Sequence, residues 1–173
     1  AVGGITTSGT DWLDLEQIPS SVVDGTPLII REIDPNEWPG SHAAALASGY
    51  KKYRFVRCSF IIKGKCSTLV SGGFVAGVTT DMYEVIPVGS NAKRYVRALR
   101  GSVSSDWWRP ATVEVPPTGW LHCAPDAPER WQTTAGRFVL VVDGPPTGVS
   151  SVALSIEVAW TLSFAEPTAP PID

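Results

Sequence analysis

The chain has 173 residues, 43% of them apolar and 18% charged, with a formal charge of −3. That length makes one domain able to bury most of its apolar surface. The acidic balance argues against a strongly basic nucleic-acid-binding domain while leaving room for a local basic patch. No stretch reaches the roughly 18 apolar residues of a membrane span, and no signal-peptide pattern opens the chain, so no membrane partner is expected. Cys58, Cys66 and Cys123 are odd in number and lack C-x-x-C spacing. Buried thiols in a reducing compartment fit that better than a disulfide framework or a zinc knuckle.

In chain order, residues 5–18 set Trp12, Leu13, Leu15 and Ile18 between polar neighbours and end at the turn Pro19-Ser20-Ser21. Residues 26–33 read as a strand with Pro27 at its edge, and residues 34–40 as a loop. Residues 41–49 predict a short helix: Ser41 caps it, alanines fill it and Gly49 stops it. Residues 50–63 predict a long strand whose apolar phase slips near Val56-Arg57, from Tyr53 and Phe55 to Cys58, Phe60 and Ile62. That is the mark of a bulge or of burial on both faces. A strand over 69–80, a short helix over 90–100, strands over 103–108 and 111–115, and a strand fragment at 120–123 follow. Residues 137–143 are a continuous apolar strand, and Gly144-Pro145-Pro146-Thr147-Gly148 reads as a loop. In 154–164 every even residue is large and apolar (Leu154, Ile156, Val158, Trp160, Leu162, Phe164) and every odd one small or polar, a strand with one face in a core. The Pro-rich tail cannot join a sheet centre. The expectation is an all-β protein, an eight-stranded antiparallel jelly-roll sandwich with two short helices.

The strand-like run 73–80 stops at Asp81, a second carboxylate follows at Glu84, and Ile86-Pro87 turns the chain. Both acids belong on one short turn at a strand end, where two hard oxygen ligands suit Ca²⁺; two solvated carboxylates in a turn satisfy the same pattern. Ten of the fourteen positive charges fall in two stretches: Lys51, Lys52, Arg54, Arg57, Lys63 and Lys65, then Lys93, Arg94, Arg97 and Arg100. Sharing one face, they would meet a polyanion through its phosphates; paired with nearby acids, they are a solvated surface. His42 and His122 lack a His-x-His core, and neither a Gly-x-Ser-x-Gly elbow nor a phosphate-cradling Gly loop is present. Asp81, Glu84, Glu114 and Glu157 are carboxylates of the kind used in glycoside cleavage, but the sequence brings no two of them together. Trp107, Trp108, Trp120 and Trp131 serve either as sugar-stacking platforms or as packing.

With the alternating strand and the Pro-rich tail, the run Thr80-Asp81-Met82-Tyr83-Glu84-Val85-Ile86-Pro87 resembles the shell domain of plant sobemovirus coat proteins. Those carry Asp-x-x-Asp-x-Ile/Leu-Pro at a strand end, whose acids bind calcium between subunits; Glu84 here is one methylene longer. Residues 43–57, Gly101-Ser102-Val103-Ser104-Ser105-Asp106-Trp107, Ala135-Gly136-Arg137-Phe138 and residues 152–167 resemble further family segments in the same order. Two departures are a shorter connection between Val115 and Arg137 and the lack of the family's basic N-terminal arm, which fits a chain starting at Ala1 rather than Met. The resemblance implies residues 1–10 as an arm remnant, 11–166 as the shell domain and 167–173 as a C-terminal tail. It implies a non-enzymatic coat protein that assembles with copies of itself into a T=3 icosahedral capsid around single-stranded RNA. It places the chain in the virion, and in the host cytoplasm during assembly. It also implies a calcium site holding Asp81 and Glu84, Asp173 of a neighbouring copy and the backbone carbonyl of Cys123. Lys51, Lys52, Arg54, Arg57, Lys93, Arg94, Arg97 and Arg100 would then face RNA. The competing reading is a calcium-binding carbohydrate-recognition module on the same fold.

Overall fold

The alternation at 154–164 lies inside the longest strand, β9 (Ser151–Pro167), flanked by β1 (Ile5–Pro19) on one side and β3 (Tyr50–Lys65) on the other. The computed structural model describes residues 4–123 and 129–168. Its other strands are β2 (Pro27–Glu32), β4 (Ser71–Thr79), β5 (Val103–Asp106), β6 (Ala111–Val115), β7 (Leu121–His122) and β8 (Arg137–Thr147). Helix α1 (His42–Ala47) precedes β3, and α2 (Ser90–Ala98) lies between β4 and β5.

The pairing is that of a long antiparallel ribbon folded back on itself. β1 pairs with β9, β2 with β8, β3 with β6 and β7, and β4 with β5. Rolling that ribbon joins β9 to β3 and β8 to β4. Two sheets result, β1-β9-β3-β6 with β7 also on β3, and β2-β8-β4-β5. This is the expected jelly roll. Nine strands among the described residues replace the expected eight because two-residue β7 continues the line of β6 along the same edge of β3. The tip of the folded ribbon is the segment between β4 and β5, which contains Asp81, Glu84 and α2.

Between the sheets the inward residues close-pack. Phe60 of β3 stacks on Phe138 of β8 with centroids 4.6 Å apart, and Trp38 meets Phe55 and Phe60. The phase slip near Val56 is a register shift between Phe55 and Arg57 that keeps Phe55 and Cys58 both inside. β8 is apolar throughout because it is covered twice. Phe138, Leu140 and Val142 enter the main core, while Val139 and Val141 pack under Ala92 and Val96 of α2.

Ser41 caps α1 by accepting from the Ala44 N–H at 3.0 Å, and Asp11 accepts from the His42 and Ala43 N–H groups. Three boundaries differ from the sequence expectation. β1 begins at Ile5, opposite Phe164, so residues 5–10 are sheet. Glu166 and Pro167 end β9, and residues 169–173 lie outside the described residues. Gly144-Pro145-Pro146 is not a loop, because β8 runs on to Thr147. Two prolines fit there because Gly144, Pro145 and Pro146 of β8 bulge opposite the single residue Gly72, between the pairs Ser71–Thr147 and Gly73–Asp143. Gly72 (φ 92°) lies so close that a Cβ on it would meet the Gly144 oxygen at 2.4 Å.

Candidate functional site

Strand β4 ends at buried Thr79, and the chain then turns through residues 80–84. The Asp81 N–H donates to Thr79 Oγ1 at 3.3 Å, and Asp81 Oδ1 accepts the Tyr83 N–H at 2.9 Å, so the aspartate folds its own turn. Met82 is buried and anchors the turn, leaving Asp81, Tyr83 and Glu84 at the surface. Glu84 Oε2 accepts from the Tyr95 hydroxyl of α2 at 3.0 Å, and the Tyr83 hydroxyl donates to Glu129 Oε2 at 2.8 Å. Burial raises the Tyr95 phenol, with Glu84 adding to the effect.

Beneath the turn sits Arg137, which the sequence reading did not single out. It opens β8 opposite Thr79, and its Nη2 donates to the backbone carbonyls of both Asp81 and Glu84. The guanidinium thereby ties both ends of the turn to the start of β8.

A groove of about 750 Å³ opens beside it, lined by Asp81, Glu84 and Glu114 against Arg57 and Arg100, over an apolar floor that includes Val78, Leu99 and Val115. Three carboxylates thus converge on one groove, which the sequence did not reveal. Among the described residues, though, no three His, Cys, Asp or Glu side chains come close enough to hold one ion. Ca²⁺ takes six to eight oxygens. Asp81 and Glu84 by themselves are two carboxylates, fewer than such an ion needs. Val85 and Val88, 85% and 74% exposed, make an apolar rim next to the acids.

The other expected ligands lie elsewhere or beyond view. Asp173 falls outside the described residues. The Cys123 carbonyl accepts from Asn36 Nδ2 at 3.2 Å, and its N–H donates to the Lys51 carbonyl, so it is engaged near the 3-10 turn at Pro35–Glu37. Burial pushes the Cys123 thiol up to about 12. In the same place Asp34 is 6% exposed and binds the Asn36 N–H at 3.0 Å. Burial first, then the Glu37 charge, push its carboxyl up to about 6. An aspartate before a proline gives no sequence signal of burial.

The two basic groups do not share a face. Lys52, Arg54, Arg57, Lys63 and Lys65 stand on the solvent side of the five-stranded sheet, alternating with the buried residues of β3, and Lys51 is exposed near its start. Lys93, Arg94 and Arg97 ride on α2, which covers the outer side of the other sheet, and Arg100 follows just after it. Arg57 and Arg100, one from each group, line the same groove. Several cations are already paired: Lys93 with Asp24 (2.9 Å) and Asp143 (3.4 Å), Lys52 with Glu166 and Lys63 with Glu157 (both 3.7 Å). Of the tryptophans, Trp107 is fully buried and donates to the Gly144 carbonyl, so it is packing rather than a sugar platform. Trp120 and Trp131 are exposed, and Arg54 stacks over Trp120 at 4.9 Å.

Solved structures of viral capsids share this fold. The mud crab tombus-like virus structure matches with a TM-score of 0.87 at 14% identity, covering 98% of this chain and 92% of that one. The cocksfoot mottle virus structure matches with 0.78 at 15% identity, covering 98% and 88%. In sequence, capsid protein alpha of striped jack nervous necrosis virus is 26% identical over 170 residues, which is 97% of this chain and 47% of that protein. The chain therefore spans about half the length of that curated relative. The nodavirus capsid protein family matches residues 6–171, and the chain belongs to it. It is a viral capsid protein. Its likeness to sobemovirus shells, expected from the acidic run, is one of fold; the family membership is nodaviral.

Proposed function

We propose that this chain is the shell-forming part of a coat protein that self-assembles into a T=3 icosahedral capsid enclosing single-stranded RNA, with Ca²⁺ bridging neighbouring copies. The observation that carries the reading is the nodavirus capsid family match over residues 6–171 on a jelly-roll sandwich. The role is structural, without catalysis, in the virion and in the host cytoplasm during assembly. A rigid barrel with contacts in loops and termini suits one sequence that must pack in several nearly equivalent settings.

Asp81 and Glu84 supply two hard oxygen ligands on an exposed turn that Arg137 holds in place through its carbonyls. The rest of the coordination shell would come from water and a neighbouring copy, with Asp173 the first candidate and the Cys123 carbonyl, already accepting from Asn36, the second. Acids gathered at a contact repel one another unless a cation or protons neutralise them. Chelation with mild alkali should therefore loosen the shell. The test is electron microscopy and thermal melting of assembled particles with and without EDTA at pH 7.5–8. Wild-type particles are expected to swell or fall apart on chelation. Asp81→Asn and Glu84→Gln particles should melt lower and no longer respond to Ca²⁺. Unchanged size and melting of the wild type under EDTA would remove calcium from the mechanism. A monomer retained on a polysaccharide column would replace the shell with a carbohydrate-recognition module.

A further inference from the structure

The solvent face of the five-stranded sheet carries two rows of side chains in register across β3, β9 and β1. Arg54 lies opposite Ser163, and Ser163 opposite Thr6; Arg57 lies opposite Thr161, and Thr161 opposite Ser8. In each row the two hydroxyls bond to each other, Thr6 Oγ1 to Ser163 Oγ and Ser8 Oγ to Thr161 Oγ1, both at 2.8 Å. Each row also lies in its own depression. The Arg54 row shares about 180 Å³ with Trp120, and the Arg57 row shares about 390 Å³ with Thr10 and Ser59.

Strand periodicity by itself would separate the two arginines, because residues three apart on a regular strand point to opposite faces. The register shift between Phe55 and Arg57 takes up Val56 and returns Arg57 to the side of Arg54. The rows then lie one two-residue repeat apart, about 7 Å along the strand. Neither arginine has an ion-pair partner among the described residues, whereas Lys52, Lys63 and Lys93 do. A guanidinium presents forked donors that match a phosphate, and the exposed hydroxyls of Thr6 and Ser8, braced by buried Ser163 and half-buried Thr161, can add a donor to its other oxygens. Trp120, 45% exposed with Arg54 over its ring at 4.9 Å, offers ring surface beside that arginine on which an unstacked base can lie. A duplex does not present such a base; a single strand does.

We propose that this face binds the phosphodiester chain of single-stranded RNA, Arg54 and Arg57 each holding one phosphate and Trp120 stacking a base. The proposal rests on the RNA-enclosing reading above and assigns it to one sheet face, leaving the α2 cations out. The test is fluorescence anisotropy of a fluorescein-labelled 12-nucleotide oligouridylate with the unassembled 173-residue chain over a salt series. Arg54→Ala/Arg57→Ala is expected to lose at least tenfold in affinity at low salt. Its log–log salt slope should flatten by about 1.4, from two phosphates at about 0.7 each. Arg94→Ala/Arg97→Ala should bind as the wild type does. Should the double arginine variant fail to fold by circular dichroism, Thr161→Val, which keeps charge and shape, is expected to lose severalfold.

Equal losses from both pairs, or no loss from the first, would overturn the proposal. So would a heparin fragment that depends on Arg54 and Arg57 while oligouridylate does not bind, which would give the face to a sulfated polysaccharide. Micrographs keep the two readings apart. Shells of Arg54→Ala/Arg57→Ala with a reduced 260/280 nm ratio support the site, and shells with full RNA content sink it. Wild-type chain that never forms shells speaks against the capsid reading, while the anisotropy still decides the site.

Discussion

Asp34→Asn isolates a single buried charge. The carboxyl is 6% exposed, and its folded pKa of about 6 stands above the 3.8 of the free side chain, chiefly because burial penalises the anion. An acid whose pKa is raised on folding stabilises the fold only while it stays protonated. That contribution is complete below pH 3.8 and is lost as pH rises through 6. The gap between 3.8 and about 6, at 1.36 kcal/mol per pH unit, amounts to about 3 kcal/mol at neutral pH. Asparagine removes the charge and keeps an oxygen to accept the Asn36 N–H now held by Asp34 Oδ1 at 3.0 Å. Relaxation around the ionised carboxylate reduces the visible gain to about 1–2 kcal/mol. Urea unfolding of wild type and variant at pH 4.5, 6 and 7.5 measures it. The variant's advantage at pH 4.5 should be only about a third of that at pH 7.5, the difference growing from pH 3.8 to about 6 and levelling above it. A variant that is weaker at pH 7.5, or a difference flat with pH, would refute the assignment of a buried, pH-titrating Asp34.

Gly72→Ala should cost about 2–5 kcal/mol. The φ of 92° is strained for any Cβ, and that atom would lie 2.4 Å from the Gly144 oxygen and 2.6 Å from that of Pro145; a loss below 1 kcal/mol in urea would show that the two backbones part easily. Ser41→Ala removes the side-chain cap of six-residue α1 and should cost about 1 kcal/mol, with Ser41→Asp restoring it, both read by thermal melting.

Much of the fold was legible because its signals are local. The period-two run ending at Phe164, the cap at Ser41 and the phase slip at Val56 each rest on neighbouring residues, and each appears in the structure where the sequence put it. Pro145-Pro146 misled because prolines mark turns on average, while here they sit in a bulge of β8 opposite Gly72, where no ladder bond is asked of them. At the site, Asp81 and Glu84 stood out through spacing and a following proline. Arg137 did not, since it reaches the turn from more than fifty residues further along the chain.

The sequence by itself determined which segments become strands, where the acidic turn falls and that cations gather in two stretches, because backbone sterics and side-chain alternation act over a few residues. Tertiary structure alone decided that those stretches lie on opposite sides of the sandwich, that Asp34 is buried and that Arg54 and Arg57 line up with hydroxyls from β9 and β1. Those relations join residues up to about 155 positions apart, and they exist only once the ribbon has rolled and the pairing registers are set.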